Sequence, residues 1–434
     1  MIKTIVIFLI TCVFLIASII LFPKIKVFKR HINTYWIISL IGAIFMVIFN
    51  CVSFKNIFEV LFSSSPLNPL KILVLFFSMT FLSIFLDEVG FFKYIAAMLI
   101  NKTKTSQTRL FVSVYLIVSL LTIFTSNDIV VLTFTPFICY FAKNAKINPI
   151  PYLFAEFAAA NTWSMLLIIG NPTNIYLATY ANISFIEYLK VMLLPTLFSG
   201  GIQILLMLLI FKKSLSKEIK INKIDEHING KLDLVFGLLH LLVCLLFLVI
   251  SSYLNLSMWL ICLICAMSLI ACILASHIVR HQKIRIIFFT IKRLPYELII
   301  FVISMFIIVL SLNEQGITNK ISSFLGENNV VLKYGVASFL SSNLINNIPM
   351  SVLFSTIPHM SNNTEYLKAI YSTIIGSNIG AFLTPIGALA GIMFTDLISR
   401  QKIKFSFLNF IKYGCFISIP TLIVSLVVLG FVLV

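Results

Sequence analysis

The sequence predicts an all-α, multi-pass membrane protein built from two inverted repeats, each with five transmembrane helices, a re-entrant hairpin and a broken helix. Composition, the spacing of apolar runs and a repeated set of polar motifs support this fold class. Of the 434 residues, 60% are apolar and 11% are charged, and the mean hydropathy is +1.07. Such a chain suits hydrocarbon rather than water, which excludes a soluble enzyme. The net charge of +17 lies in short clusters between apolar runs, a pattern typical of membrane orientation rather than nucleic-acid binding.

Ten apolar stretches are long enough to cross about 30 Å of hydrocarbon. The first lies behind Lys3 and has no clear small-residue cleavage site, so we expect a transmembrane helix rather than a signal peptide. The predicted crossings are 3–22, 35–52, 72–86, 150–180, 188–211, 232–252, 256–275, 295–312, 366–396 and 411–434.

Two further apolar regions, 110–142 and 330–357, are too long for one helix and are interrupted midway by polar residues. Non-helical backbone at mid-membrane depth is tolerated only where it lines a cavity or packs against protein. We therefore expect two re-entrant hairpins with polar tips. The tip residues are Ser126, Asn127 and Asp128 in the first region, and Ser341, Ser342, Asn343, Asn346, Asn347 and Pro349 in the second.

The basic residues support this topology, because cytoplasmic loops collect Lys and Arg. With both polar regions read as hairpins, 25 of the 32 Lys and Arg fall on one side of the membrane. The sequence thus predicts a plasma-membrane protein whose N- and C-termini lie outside. The loops predicted to be cytoplasmic are 24–30, 93–109, 143–146, 212–231, 280–293 and 400–412.

Polar motifs of the first half recur in the second half in the same order. The matches are 86–90 with 312–316 at an offset of 226, Asn127 with Asn346 at 219, and Asn161 and Gly170 with Asn378 and Gly387 at 217. Five crossings and one hairpin per half make an odd number of crossings, so the second half inserts upside down. We expect repeats at 1–211 and 232–434, joined by a cytoplasmic linker at 212–231.

Two predicted crossings contain residues that disfavour a continuous helix. Gly170 and Pro172 lie within 150–180, and Pro385 lies within 366–396. Pro removes a backbone donor and clashes with the preceding turn, so both crossings should unwind there. Unwound helices offer free N–H groups, a positive dipole end and free carbonyls to a solute or ion. An isolated Gly-Pro pair is more often a packing kink, but repetition at matched spacing favours a site where two hairpin tips face two broken helices.

Asp128 is a carboxylate at predicted mid-membrane depth, where charge is costly unless the group pairs, binds a cation or exchanges a proton. It could carry a coupling proton or only close the hairpin tip. The predicted substrate- or ion-binding residues are Ser126, Asn127, Asp128, Asn161, Gly170, Asn171, Pro172, Thr173, Asn174, Asn343, Asn346, Asn347, Pro349, Asn378, Thr384, Pro385 and Gly387.

We predict no catalytic residues, cofactor or metal site. The eight Cys lie almost entirely inside apolar runs without loop pairs, and the six His share no metal-ligand spacing. An intramembrane enzyme would need paired catalytic groups, whereas only amides lie opposite Asp128.

Four other residues keep two interpretations each. Asp87 and Glu88 are interfacial helix caps or take part in transport. Glu156 is a proton relay or an interhelical partner. Trp163 gates the cavity or only packs.

These motifs resemble those of the ion transporter superfamily, and most closely the arsenite efflux pump membrane subunit and citrate-transporter-like permease families. The resemblance covers nearly the whole chain. It departs at the hairpin tips, where carboxylate carriers have Ser-Asn-Thr. The resembling segments are 127–136 (NDIVVLTFTP), 160–164 (ANTWS), Asn171 with Asn174, 346–349 (NNIP) and 384–390 (TPIGALA).

The resemblance implies secondary active transport of a small ion rather than enzyme activity. Proton-coupled efflux of arsenite, a neutral triol at neutral pH, is the leading expectation, because neither half places a Lys or Arg at mid-membrane. The alternatives are sodium- or proton-coupled transport of citrate, a dicarboxylate or another anion, and sodium/proton antiport. The expected partners are the ion substrate, a coupling H⁺ or Na⁺ and the lipid bilayer, without nucleic acid. A homodimer and, for a true arsenite pump, a cytoplasmic ATPase subunit stay open.

Overall fold

The computed structural model describes residues 1–434 apart from 23, 28–29, 63–67, 103–105, 218–226, 252–253, 255, 358–359, 361 and 434. This described part is helical except for connecting segments and a short antiparallel hairpin of β1 (Lys24–Val27) and β2 (Arg30–Asn33). The first-half helices are α1 (Ile2–Leu21), α2 (Tyr35–Ile48), α3 (Phe54–Phe62), α4 (Pro69–Glu88), α5 (Phe91–Lys102), α6 (Gln107–Phe124), α7 (Asn127–Asn144), α8 (Ile150–Trp163), α9 (Pro172–Tyr180) and α10 (Phe185–Leu215). The second-half helices are α11 (Lys231–Ile250), α12 (Met258–Val279), α13 (Arg285–Lys292), α14 (Glu297–Glu314), α15 (Ile317–Leu325), α16 (Val330–Ile345), α17 (Asn347–Ser355), α18 (Asn363–Gly380), α19 (Leu389–Arg400) and α20 (Phe407–Val432).

Many of these helices are long and apolar enough to cross a bilayer. Within the described ranges there are seven such segments, and three shorter apolar helices accompany them. Each of the ten predicted crossings coincides with a helix or with two helices separated by a break. The prediction of a helical, multi-pass membrane protein is therefore confirmed. The seven segments are Pro69–Glu88, Gln107–Phe124, Phe185–Leu215, Lys231–Ile250, Met258–Val279, Arg285–Glu314 and Phe407–Val432.

Both arms of the first hairpin are longer than a tip at mid-membrane depth requires. Its arms are α6 and α7, with 18 residues each, and a helix of that length spans about 27 Å. The second hairpin is shorter, with 16 residues in α16 and 9 in α17. The two hairpins therefore occupy the same place in their repeats but differ in the length of their arms.

Local sequence explains where several helices begin and end. Asn68 caps α4 by accepting a hydrogen bond from the Leu70 amide at 2.8 Å, and Ser184 with Glu187 forms a capping box at α10. Gly90 and Gly316, just beyond α4 and α14, have φ values of +90° and +67°, which residues with a Cβ rarely adopt. The repeated motif at 86–90 and 312–316 is thus a repeated helix end.

The helices also pack in matching ways in the two halves. α2 packs on α14 as α12 packs on α4, and α7 packs on α19 as α17 packs on α9. α10 and α20 pack on each other. These paired contacts relate α1–α10 to α11–α20 by a pseudo-twofold axis, as two inverted repeats require. We propose repeat boundaries at 1–211 and 232–434, although α10 continues through Leu215 into the expected linker, of which 218–226 lie outside the described residues.

Hydrogen bonds group the connecting segments onto two faces of the molecule. The basic face is the one that carries the loops predicted to be cytoplasmic. The contacts that join its segments are Asn33 with Glu297, Val89 with Asn229, Thr108 with Leu215, and Asp87 with Arg293. The opposite face joins Met1 to Gln315 and Asn56 to Glu314. Which face lies in the cytoplasm stays a prediction.

Candidate functional site

The break in the crossing at 150–180 lies between α8 and α9. Two 3₁₀ turns, Ser164–Leu166 and Ile168–Gly170, replace the α-helix there. Asn171 is extended and caps α9, its Oδ1 accepting from the Thr173 amide at 3.2 Å. Pro172 is the first residue of α9, where its missing N–H costs nothing, and it keeps the preceding residue extended. The crossing at 150–180 thus unwinds where the sequence predicts, with the break just upstream of Pro172 and Pro172 opening the helix that follows.

The second break, 381–388 between α18 and α19, is bound by the tip of the second hairpin. The Asn343 amide donates to the Gly380 carbonyl at 2.9 Å, and its Oδ1 accepts from the Thr384 hydroxyl at 2.7 Å. The Thr384 oxygen in turn accepts from the Ile386 amide at 3.3 Å, across Pro385. Hairpin tip and broken helix thus form one hydrogen-bonded unit.

Gly170 and Gly387 occupy matching places in the two breaks. A Cβ on Gly170 would overlap the backbone of Ser164, and a Cβ on Gly387 would lie 2.7 Å from the Gly380 carbonyl oxygen. In both breaks the chain passes too close to itself for any side chain. The glycines matched in the sequence therefore mark equivalent backbone folds.

Both hairpin tips begin their second arm with an asparagine. α7 begins at Asn127 and α17 begins at Asn347, so the structure aligns these two residues. The sequence match of Asn127 with Asn346 is off by one. Asn346 instead holds the second break, because its amide donates to the Ile386 carbonyl at 3.0 Å, and the Asn347 backbone N–H donates to Gly387 at 3.0 Å.

Asn378 reaches from α18 of the second repeat to the first break. Its Oδ1 accepts from Ser164 Oγ and from Asn171 Nδ2, both at 2.9 Å. Its Nδ2 donates to Asn174 Oδ1 at 2.7 Å. Asn378 is fully buried, so one side chain joins the two repeats through three buried hydrogen bonds.

Asn161 is the counterpart of Asn378 in the first repeat. Its amide donates to the Phe157 carbonyl at 2.8 Å, just as Asn378 donates to Ile374 at 2.8 Å. Its Oδ1 accepts from Asn127 at 3.1 Å rather than from the second break. The second break has Ala388 and Gly391 where the first has Asn171 and Asn174. The site is therefore asymmetric, with its polar side chains concentrated around the first break.

Four buried polar atoms around the tips and in α18 have no hydrogen-bond partner among the residues that the structure describes: Ser126 Oγ, Asn127 Oδ1, Asn347 Oδ1 and Ser377 Oγ. The amide of Asn161 is engaged with Phe157, so Asn161 presents its oxygen to Asn127, whose nitrogen must face it. Asn127 Oδ1 is thereby left over as an acceptor. Buried polar atoms in proteins nearly always have a partner, so each of these four atoms is a candidate contact for a bound solute or ion.

Asp128 does not join the asparagine network. It lies in the first turn of α7, where the helix dipole favours a negative charge, and it lines a cavity of about 490 Å³. The cavity wall also includes Ser126 at the hairpin tip and Arg293 and Arg400 at the basic face. The cavity therefore connects that face with the first hairpin tip.

The segments that build the site carry little charge. Their only carboxylates are Asp128, Glu156 and Asp396, and they contain no Lys, Arg or His. A multivalent anion would meet only amides, hydroxyls and helix ends there. Arg293 and Arg400 line the cavity that leads to the site, but both pair with carboxylates. The segments are 110–142, 147–180, 334–357 and 369–399.

Glu156 and Trp163 both lie in packed surroundings. Glu156 is fully buried, and its two carboxylate oxygens each lie 3.0 Å from the Thr135 hydroxyl of α7. Trp163 donates to the Tyr115 hydroxyl at 3.1 Å, and its ring packs so close to Gly200 that a Cβ there would overlap it. Glu156 thus acts as an interhelical partner in this structure, and Trp163 packs.

Asp87 and Glu88 bind the same arginine. Arg293 lies 2.7 Å from Asp87 and 2.6 Å from Glu88. This pairing fastens the end of α4 to the segment between α13 and α14. It agrees with the interfacial interpretation of both acidic residues.

The side chains of the predicted site residues Pro349 and Thr173 add no close hydrogen bond to the site, and the sequence prediction missed Ser164 and Ser377. Pro349 is the third residue of α17, and Thr173 Oγ1 lies 3.5 Å from Asn174. Ser164 bonds Asn378, and the unpaired Ser377 hydroxyl neighbours it. Serines in apolar helices usually bond their own backbone, so neither stood out in the sequence.

Known proteins are similar to this chain over most of its length. The arsenical pump membrane protein of Escherichia coli is 25% identical over 371 residues, covering 82% of this chain and 85% of that protein. The arsenical pump membrane protein of Yersinia enterocolitica is 23% identical with the same coverage. The 46 kDa membrane protein of Mycobacterium leprae (strain TN) is 24% identical, covering 80% of this chain and 83% of that protein.

A solved structure supports the fold. The crystal structure of the Alcanivorax borkumensis YdaH transporter, which reveals an unusual topology, matches with a TM-score of 0.58 at 14% identity, covering 99% of this chain and 98% of that one. The sequence profile of the CitMHS family, described as citrate transporter, matches residues 27–372. Because this match spans most of its length, the chain belongs to the CitMHS citrate transporter family of membrane transporters.

Proposed function

We propose that this transporter exports arsenite in exchange for protons. The observation that carries the proposal is the pair of unpaired, buried carbonyl oxygens, Asn127 Oδ1 and Asn347 Oδ1. A carbonyl oxygen accepts a hydrogen bond from a hydroxyl group or binds a cation, and it repels a carboxylate. Arsenite at neutral pH is a neutral triol whose hydroxyl groups can donate to both oxygens.

The surroundings of these oxygens support a neutral solute. The Ser126 and Ser377 hydroxyls, also unpaired and buried, can donate to or accept from the same molecule. No basic side chain lies in the segments that form the site. The arsenical pump membrane proteins of Escherichia coli and Yersinia enterocolitica, which resemble this chain, also favour an arsenical substrate.

Asp128 is the proposed coupling group. It lies one residue from Asn127 and lines the cavity that leads to the basic face, which the positive-inside rule assigns to the cytoplasm. In the proposed cycle the protonated carboxyl releases its proton to the cytoplasm through this cavity and takes up a new proton from outside. Exchange of one proton for one neutral triol moves one charge, so transport should respond to membrane potential. This exchange needs neither a second copy of the chain nor an ATPase subunit, so those expectations are separate from the proposal.

Uptake of citrate or a dicarboxylate with sodium is the second candidate, favoured by the description of the family profile. The Asn127 and Asn347 oxygens would then bind the sodium ion, and helix N-termini would bind the carboxylates. A sodium/proton antiporter would use the same oxygens without an organic substrate.

Reconstituted liposomes separate these candidates. Arsenite, citrate and sodium uptake should be compared under an imposed pH difference, an imposed sodium gradient and no gradient. The proposal predicts that an acidic lumen drives arsenite accumulation without sodium. Sodium-dependent citrate uptake without arsenite movement would establish the second candidate instead.

A further inference from the structure

A second carboxylate, Glu297, lies in the wall of the cavity that leads to Asp128. It is the first residue of α14, and its side chain is partly exposed. Asn33 Nδ2 donates to Glu297 Oε2 at 2.5 Å, and the Tyr35 hydroxyl donates to the same oxygen at 3.2 Å. Two donors from the start of the chain therefore fix this carboxylate at the basic face, facing the same space as Asp128.

Hydroxyl groups line the cavity that Glu297 and Asp128 share. Tyr35, Thr80 and Ser126 all contribute to its wall. The Thr80 and Ser126 hydroxyls are buried without a partner within the described part of the chain. Each hydroxyl can accept one proton while giving up another, and the cavity of about 490 Å³, although mostly lined by apolar side chains, has room for water molecules beside these groups. Hydroxyl groups bridged by water offer a path for a proton along this wall.

The cations near Glu297 have carboxylate partners of their own. Arg293 pairs with Asp87 and Glu88, and Arg400 pairs with Asp396 at 2.8 Å. The remaining ionisable groups in the wall are Asp128, Tyr35 and Tyr296. Across the ranges that the structure describes, Glu297 and Asp128 are the two cavity carboxylates that no cation neutralises.

We propose that Glu297, positioned by Tyr35, exchanges the proton of Asp128 with water at the basic face. The inference rests on the proposed proton coupling and names its entry group. The O–H bond of the Asp128 carboxyl breaks, water and hydroxyl groups pass one proton along, and an O–H bond forms on Glu297. Glu297 then gives that proton to bulk water and returns to the carboxylate.

The competing role for Glu297 is structural. An acidic residue in the first turn of α14 also stabilises that helix through its dipole, by about 0.3–1 kcal/mol. Such a role changes thermal stability but not the rate of proton transfer. A test must therefore measure proton-dependent flux separately from substrate binding and folding.

The test uses the full chain in liposomes, with whichever of arsenite and citrate the unmodified protein carries. Glu297→Gln removes the proton carrier but keeps the side-chain size. Tyr35→Phe removes the hydroxyl while keeping the edge contact with Phe301, whose ring centroid lies 5.1 Å away. Glu59→Gln, an exposed carboxylate on α3 paired with Lys55, serves as the control.

Flux driven by a pH difference should fall at least about tenfold in Glu297→Gln, since a positioned proton carrier typically contributes that much or more. Exchange of labelled for unlabelled substrate at equal pH should stay within about twofold, because it needs no net proton release. Formate, a small acid that can enter the cavity, should restore part of the gradient-driven flux. Tyr35→Phe should show a smaller loss of the same kind, and Glu59→Gln none.

The failures are distinguishable. If the unmodified protein carries substrate without responding to a pH difference, proton coupling itself is wrong, and the relay falls with it. If the unmodified protein is coupled and Glu297→Gln matches it, the relay alone is wrong. Loss of gradient-driven flux and equal-pH exchange together, without formate rescue, would assign Glu297 the structural role.

Discussion

Asn378 of the second repeat donates a hydrogen bond to Asn174 of the first repeat at 2.7 Å. This bond lies at the first break, where the chain has left helical geometry, and both side chains are fully buried. Breaks of this kind expose backbone groups that must find partners inside the protein. The asparagine pair therefore holds the broken helix and the two repeats in one arrangement.

Asn378→Ala should destabilise the protein and impair transport. It leaves Asn171 and Asn174 without their buried partner, at a cost of about 1–3 kcal/mol for each unsatisfied group. Thermal unfolding in detergent and transport in liposomes measure the two effects. Asn56→Ala, which removes an exposed bond to Glu314, should be much milder, and equal losses in both variants would contradict a linking role for Asn378.

Asn171→Ala should impair transport more than Pro172→Ala. Asn171 caps α9 and bonds Asn378, so its loss costs about 1 kcal/mol for the cap alone. Pro172 occupies the first helical position, where alanine is tolerated, and the cap from Asn171 is kept in Pro172→Ala. Transport rates at matched protein abundance test this order, with Pro420→Ala inside α20 as a control. A steeper loss in Pro172→Ala would show that the proline itself maintains the break.

Gly387→Ala should lower both thermal stability and transport. The added Cβ would lie 2.7 Å from the Gly380 carbonyl oxygen, so the second break must shift. Gly201 in α10 has open space around its Cβ position, and Gly201→Ala should leave the protein unchanged or raise its helix stability by up to about 1 kcal/mol. The measurements are the unfolding temperature and the arsenite flux of each variant. Equal values for Gly387→Ala and Gly201→Ala would mean that the backbone near Gly387 shifts at little energetic cost.

Thiol labelling in intact cells tests the orientation. In a background without native Cys, Ser216→Cys and Gln282→Cys, both exposed on the basic face, should resist a membrane-impermeant reagent. Asn319→Cys, exposed on α15, should react. The opposite pattern would place the basic face outside and reverse the positive-inside assignment.

Much of the fold follows from the sequence, because bilayer physics restricts the choices. The ends of α4 and α14 were matched through the motifs at 86–90 and 312–316, and both breaks were located through Gly170 and Gly387. A bilayer requires apolar runs long enough to cross its hydrocarbon core. Polar residues within such runs are rare unless they have a structural or functional role. The repetition of motifs between the two halves then indicated which of these polar residues belong to the candidate site.

Residues defined by contacts across the repeats were harder to predict. Tyr35 and Glu297 begin helices 262 positions apart, and each alone is indistinguishable from an ordinary interfacial residue. The match of Asn127 with Asn347 depends on the first residues of α7 and α17. The sequence contains two adjacent asparagines, Asn346 and Asn347, and does not show which of them begins α17. Pro172 was placed correctly, but its role depends on the cap at Asn171, which is a feature of backbone geometry.

The central claim is that Asp128 couples proton movement to solute export, and one comparison tests it most directly. Arsenite flux into liposomes should be measured as a function of the pH difference for the unmodified protein, Asp128→Asn and Glu156→Gln. We expect Asp128→Asn to lose the response to the pH difference at normal abundance, because it keeps the side-chain shape and removes the proton. Glu156→Gln should keep that response, because Glu156 is packed beside Thr135 and serves as an interhelical contact. Arsenite transport by Asp128→Asn with an unchanged dependence on the pH difference would contradict the account.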